Sequence, residues 1–250
     1  MPTQISRPQL EIHYFHAAQD YLHNLPLEHF MEATPQGTQR AITLASFAVV
    51  SADWPEFQTF NELLVQYPVR GQRRPGQVVP DNMVVIHAEP IQADGSFDVP
   101  LQPARPFLVL EYVSKSSKRK DYDDNMAKYE RQLKVPYYLR FYPEIQDLNL
   151  FRHNGRKFVS VKPNEQGRYP IPELKLEAGL LDNWVRYWYK GKLIPLPGEL
   201  QHELNETRRQ LDDKSRQLDT ANQARQAAED EVSRLRAELE QLKQRRNNHK

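Results

Sequence analysis

Two acidic side chains sit where charge is expensive. Glu111 lies inside Phe107-Leu108-Val109-Leu110-Glu111-Tyr112-Val113, an otherwise apolar and aromatic run. In a strand, side chains alternate between faces, so Glu111 shares a face with Phe107, Val109 and Val113. A carboxylate buried among such neighbours needs a partner for its charge. That partner is either an arginine or a metal ion. Asp81 follows Pro80 and precedes the apolar run from Met83 to Ile86. It reads either as a turn residue at a strand start or as a second metal ligand. Glu62, in Asn61-Glu62-Leu63-Leu64, is a third acid beside apolar residues. A few hard oxygen ligands meeting at a sheet edge suit Mg²⁺, which takes one or two carboxylates and keeps water or substrate phosphate in its remaining positions. Such a site activates water and stabilises in-line displacement at phosphorus.

The elements that would carry these acids form a mixed α/β pattern. The spacing of Phe15, Tyr21, Leu22, Leu25, Phe30 and Met31 predicts a helix over 15–32, interrupted at Pro26. The β-branched run from Ile42 to Val50 predicts a buried strand. Phe60 to Tyr67 fits strand or helix, and Met83 to Ile86 reads as a strand. Turn residues throughout 88–106 predict a long loop, and Phe107 to Val113 is the clearest strand. Met126, Tyr129 and Leu133 give Asp121 to Leu133 a helical spacing, and Tyr137 to Tyr142 reads as an aromatic strand. Asp147–Phe151 and Lys157–Val161 predict a hairpin around His153-Asn154-Gly155, with Asn-Gly supplying positive φ angles.

The chain changes character near residue 199, after the breaker cluster Pro195-Leu196-Pro197-Gly198. From Leu200 to the end there is no proline, glycine or aromatic residue. Steps of four and three from Leu200 pass through Leu204, Leu211, Leu218, Val232, Leu235, Leu239 and Leu242, interrupted by Thr207, Lys214 and Arg225. This narrow apolar seam predicts a coiled coil, with a solvated single helix as the alternative. Three segments follow: an N-terminal helical extension over 1–40, a main domain over 41–198 and a coiled-coil tail over 199–250.

Composition excludes several chemistries. The chain has 250 residues, no cysteine and a net charge of +1. Disulfide frameworks, thiolate metal sites and cysteine nucleophiles are ruled out. Any attraction to nucleic acid must be local rather than a bulk property. No apolar stretch is long enough for a membrane span. Met1 to Ser6 lacks the pattern of a secretion signal, so the expected location is the cytoplasm. No Gly-rich phosphate loop occurs, and His13 and His16, lacking a third ligand, read as surface or packing residues. Lys115, Lys118, Arg119 and Lys120, interleaved with serines, suit contact with a phosphate backbone or form a solvated loop. Gln72-Arg73-Arg74 could extend such a surface.

Pro80-Asp81, the strand from Phe107 to Ser114, Asp121, Tyr129, Val135-Pro136-Tyr137-Tyr138 and Tyr142-Pro143 occur in an order that resembles the Uma-two family of restriction endonucleases, within the PD-(D/E)XK nuclease superfamily. The resemblance covers about 41–195. It implies a restriction-endonuclease-like α/β fold: a mixed sheet flanked by helices, followed here by the long C-terminal coiled-coil helix. It implies Asp81 and Glu111 as metal-binding carboxylates, Glu62 as a supporting acid, Mg²⁺ as cofactor and DNA as substrate. The expected lysine is displaced. Val113 stands two residues after Glu111, and Asn125 stands four after Asp121, where relatives place lysine. Lys128 and Lys115 are the candidates to replace it, with Lys118, Arg119 and Lys120 as nucleic-acid contacts. The expected function is a Mg²⁺-dependent DNA endonuclease, oligomeric (dimer or higher) through its tail. The alternative is a catalytically weakened nuclease fold that binds DNA or acts as a scaffold.

Overall fold

The computed structural model describes residues 6–25, 34–113 and 124–247, with tail side chains described through Lys243. It divides into two compact units, Met1–Leu196 and Pro197–Lys250.

The first unit is built on a mixed six-stranded sheet. Its strands are β1 (Phe57–Asn61), β4 (Asn82–Ile86), β6 (Pro106–Tyr112), β7 (Tyr137–Tyr142), β8 (Asp147–His153) and β9 (Phe158–Ser160), in the order β1-β4-β6-β7-β8-β9. Only the β6–β7 pair is parallel; the others are antiparallel. A parallel pair requires a crossover, and the described part of that crossover is a helical turn at 124–127 running into a π-helix, Lys128–Leu133. Lys134, at φ 50°, closes it.

Each face of this sheet has its own core. On one face, α2 (Thr34–Asp53) packs with Val84, Leu108, Leu110 and Tyr112. The same cluster takes in a four-stranded antiparallel sheet of β10 (Tyr169–Ile171), β11 (Leu176–Leu181), β12 (Trp184–Tyr189) and β13 (Lys192–Leu193). On the other face, Met83, Val85 and Val109 pack with Tyr129 and Leu133 of the π-helix. That cluster also includes residues of a three-stranded sheet, ordered β3-β2-β5, made of β2 (Leu64–Tyr67), β3 (Gly76–Val78) and β5 (Ser96–Asp98). The two-residue period of β4 and β6 divides their side chains between the cores. Helix α1 (Arg7–His23) docks on the small sheet, where Gln66 and Gln77 donate to the Tyr14 and Ala17 carbonyls.

Four expectations change. Ile42 to Val50 is not a strand but part of α2, whose buried residues Gln39, Ile42, Thr43, Ser46, Phe47 and Val50 recur at helical intervals. This helix runs through position 40, where the sequence places the end of the extension. Phe60 to Tyr67 is divided between β1 and β2, because Glu62 adopts φ 48° and breaks the strand. The loop over 88–106 contains β5, which pairs in parallel with β2. In the β8–β9 hairpin only Gly155 takes a positive φ, +93°. Asn154 acts instead through its side chain, whose Oδ1 accepts the Arg156 and Lys157 N–H groups, each at 3.0 Å. The predicted helix break at Pro26 falls outside the described residues.

The second unit is helix α3 (Pro197–Asn247), 51 residues or about 76 Å long. Pro197 does not break this helix but opens it, since a first-turn residue has no intrahelical use for its N–H. Leu200, Leu204, Leu211, Leu218, Val232, Leu235, Leu239 and Leu242 are all exposed.

Candidate active site

Sheet register brings the two acids together. Asn82 on β4 pairs with Leu110 on antiparallel β6. One step outward along each strand, Asp81 comes opposite Glu111. The Tyr112 N–H donates to Asp81 Oδ2 at 2.6 Å. The two carboxyl groups lie close enough to shift each other's proton affinity. Burial pushes the Asp81 carboxyl up to about 6, outweighing the Tyr112 N–H and Arg40, which pull it down. Glu111 is only 4% exposed. Burial raises it well above the usual carboxylate range, and the neighbouring Asp81 charge raises it further. These are two acids held close with too little positive charge between them.

Their surroundings bear on the choice between arginine and metal. Arg40 on α2 lies 2.7 Å from Glu62 Oε1 and 3.6 Å from Asp81 Oδ1. It therefore spends its closer contact on Glu62. Glu111 takes its close contact from a neutral group: the Tyr129 hydroxyl donates to its Oε1 at 2.5 Å. Glu62 is brought near by its strand-breaking turn, where its N–H donates to the Asp81 carbonyl at 3.3 Å. Its side chain remains half exposed. Lys128, at the start of the π-helix, lowers the Glu111 carboxyl by its positive field. Its Nζ donates to Asn125 Oδ1 at 3.2 Å. Arg140 is the register neighbour of Glu111 on β7, but its guanidinium lies over the rings of Tyr142 and Phe151, at 5.1 and 5.5 Å.

The structure thus gathers Asp81, Glu111, Glu62 and Lys128 in one region. Lys115, Lys118, Arg119, Lys120 and Asp121 lie outside the described residues. Sequence reasoning gave no role to Arg40 or Tyr129. Tyr129 was visible as an apolar position of a helix and as one residue of the family resemblance, without a role. Arg40 was hidden by reading the following residues as a strand; the polar set Gln36, Gln39, Arg40 and Thr43, at helical spacing, was the signal for it.

Beneath the acids, the other sheet face is braced by neutral hydrogen bonds. The Tyr112 hydroxyl lies 2.6 Å from Thr43 Oγ1 and 2.7 Å from Asn82 Oδ1. Thr43 in turn meets the Tyr187 hydroxyl at 2.9 Å. Gln36 donates to the Tyr112 carbonyl at 2.9 Å. Gln39 clamps the Val185 backbone, donating to its carbonyl and accepting from its N–H. These bonds tie α2 and β12 to the strands that carry Asp81 and Glu111.

A family model described as "Putative restriction endonuclease", Uma2, matches residues 18–183. The chain belongs to the Uma2 family. The matched span holds Arg40, Glu62, Asp81, Glu111, Lys128 and Tyr129 and leaves out α3. Membership of Uma2 supports a nuclease. Among solved structures, the chain is similar to a "putative nuclease belonging to DUF820" from Anabaena variabilis, at 15% identity and a TM-score of 0.44, covering 58% of this chain and 75% of that one. No curated protein matches. Among the described residues, no helix is long and apolar enough to cross a membrane.

Proposed function

We propose that this Uma2 protein is a Mg²⁺-dependent endonuclease that hydrolyses DNA phosphodiester bonds. The observation that carries the reading is the meeting of Asp81 and Glu111, both held above their ordinary pKa by burial. A pair of acids this short of counter-charge fits a hard divalent ion. Among the described residues, no three His, Asp or Glu side chains form a group that could hold a metal. Mg²⁺ takes as few as one or two carboxylates. Asp81 and Glu111 would hold it, and the chemistry it supplies there is acidification of a water and neutralisation of charge at phosphorus.

The chain's own residues do the rest. Tyr129 fixes one Glu111 oxygen through its hydroxyl. Arg40 reaches both Glu62 and Asp81 and so ties the supporting acid to the pair. Lys128 supplies the positive charge that Val113 and Asn125 do not, and stabilises the anionic oxygen that develops during displacement. Lys115, Lys118, Arg119 and Lys120 add phosphate contacts from the segment after β6. The exposed leucine seam of α3 pairs with that of a second chain, giving two sites for two strands.

The test is nicking of supercoiled plasmid with and without Mg²⁺, by wild type, Asp81→Ala and Glu111→Ala. Metal-dependent cleavage by the wild type alone is expected. Equal activity in all three rejects the site. A second reading follows from Val113 and Asn125 at the expected lysine positions: a weakened nuclease fold that binds DNA as a scaffold. Duplex binding without metal-dependent cleavage favours it, and robust cleavage eliminates it. Sedimentation of the full chain, against a variant with Leu211 and Leu218 replaced by Asp, tests the pairing of α3. A wild type that sediments as a monomer rejects it.

A further inference from the structure

We propose that the loop joining β2 to β3 is a contact surface for the phosphate backbone of duplex DNA; this rests on the nuclease reading above. The loop carries Arg70, Arg73 and Arg74, all exposed. No Asp or Glu occurs from Leu63 to Pro80. Among the described residues, none of the three arginines forms an ion pair with a carboxylate. Three guanidinium groups within five positions repel one another, and a surface built only for solubility would intersperse acids.

The loop is also held in shape. It turns at Gly71, whose φ is +78°, and the Gln72 N–H donates to the Val69 carbonyl at 3.1 Å. The His13 ring on α1 reaches the Arg73 carbonyl at 2.9 Å, which anchors the arginine-bearing segment to a helix. On its α1 side the loop borders a cavity of about 400 Å³, with Arg74 on one wall and His13, His16 and Tyr21 on the other. Asp20 is the acid that lines it. A guanidinium presents paired donors that match a phosphate's oxygens, and an anchored loop loses less freedom on contact.

Position fits the role. The β2–β3 hairpin has this loop at one end, and Glu62 and Asp81 at the other. The seven residues from Arg74 to Asp81 span at most about 23 Å of extended chain. Duplex DNA rises about 3.4 Å per base pair, so the loop lies within roughly seven base pairs of the acids. It would hold backbone flanking the bond to be cut and would carry no base preference of its own.

The experiment measures binding of a fluorescein-labelled DNA duplex by the full chain, in EDTA, over a series of salt concentrations. Each phosphate contact contributes about 0.9 to the slope of log affinity against log salt. Replacing Arg70, Arg73 and Arg74 together by Ala should lower that slope by about 2.7 and weaken binding on the order of 10- to 100-fold at low salt. Replacing all three by Lys should keep most of the slope, because a lysine still neutralises a phosphate. The single variants Arg70→Ala, Arg73→Ala and Arg74→Ala, each expected to lower the slope by about 0.9, carry the test if the triple variant does not fold. Tight binding with an unchanged slope in the alanine variants overturns the loop assignment and leaves the nuclease reading standing. Absence of duplex binding by the wild type at low salt also overturns the loop assignment, while the plasmid-nicking assay with Mg²⁺ decides the nuclease reading separately.

Discussion

The two faces of the central sheet bury polar groups by opposite rules. On the α2 face, Tyr112, Thr43, Tyr187 and Asn82 are neutral and share hydrogen bonds of 2.6–2.9 Å. Burial of these hydroxyls and of Asn82 Oδ1 is offset by partners, although Asn82 Nδ2 has none among the described residues, and the cluster carries no net charge. On the other face, Asp81 and Glu111 meet each other, and burial raises both toward their protonated forms. One residue step along β6 separates the two regimes: the Tyr112 side chain belongs to the first, Glu111 to the second. The contrast teaches that one face of this sheet buries neutral groups that mostly pair with one another, whereas the other holds two carboxyl groups close together. Stability is given up there, as is common where function requires a strained or undercompensated group.

The sharpest way to break the contrast is to neutralise one acid without changing its shape. Asp81→Asn or Glu111→Gln should lower metal-dependent plasmid nicking at least about 100-fold, comparable to removal of a single strong electrostatic stabiliser. The same variants should melt at or above the wild-type temperature in EDTA, because the crowded charge is gone. A lower melting point in both would show the acids to be structural. The opposite outcome is expected on the α2 face. Tyr112→Phe leaves Asn82 and Thr43 short of a buried partner and should cost about 1–3 kcal/mol in urea unfolding. Because the Tyr112 N–H remains, Mg²⁺ should raise the melting temperature of that variant and of the wild type by similar amounts.

The next effect is on pH. A carboxyl raised in the folded state binds its proton more tightly there than when unfolded, so its contribution to stability is greatest in acid and declines as pH rises. For Asp81, raised from 3.8 to about 6, the decline runs between those values. Its size is on the order of 3 kcal/mol. Urea unfolding in EDTA across this range should show a downward component that Asp81→Asn removes. A wild type and variant with parallel profiles would sink the proposed coupling. The smallest effect belongs to Glu62. Its half-exposed pair with Arg40 is open to solvent on one side, so Glu62→Gln should change stability by less than about 1 kcal/mol. Activity should fall much less than in the Asp81 and Glu111 variants.

The outcome at α2 explains why part of the site was legible and part was not. Residues 42–50 are rich in β-branched and aromatic types, and local propensity favours a strand there. Tertiary packing overrides that preference, because a helix places Ile42, Ser46, Phe47 and Val50 on one buried stripe between two sheets. Arg40 could be linked to the acids only once that helix existed. The hairpin at Asn154-Gly155 gave the opposite lesson, since the turn was visible and only its chemistry differed.

The order of residues by itself determined that Asp81 and Glu111 lie next to apolar strands, that cysteine chemistry is excluded, and that the chain from Leu200 on, free of proline and glycine, is helical. These follow from composition and from periods of two and about three and a half residues, which are local properties of a chain. Tertiary structure alone decided that Asp81 stands opposite Glu111, that Arg40 turns mainly to Glu62, and that Tyr129 rather than an arginine meets Glu111. Those contacts join residues 18 to 41 positions apart. Register and helix placement set them, and neither quantity is written in any short stretch of sequence.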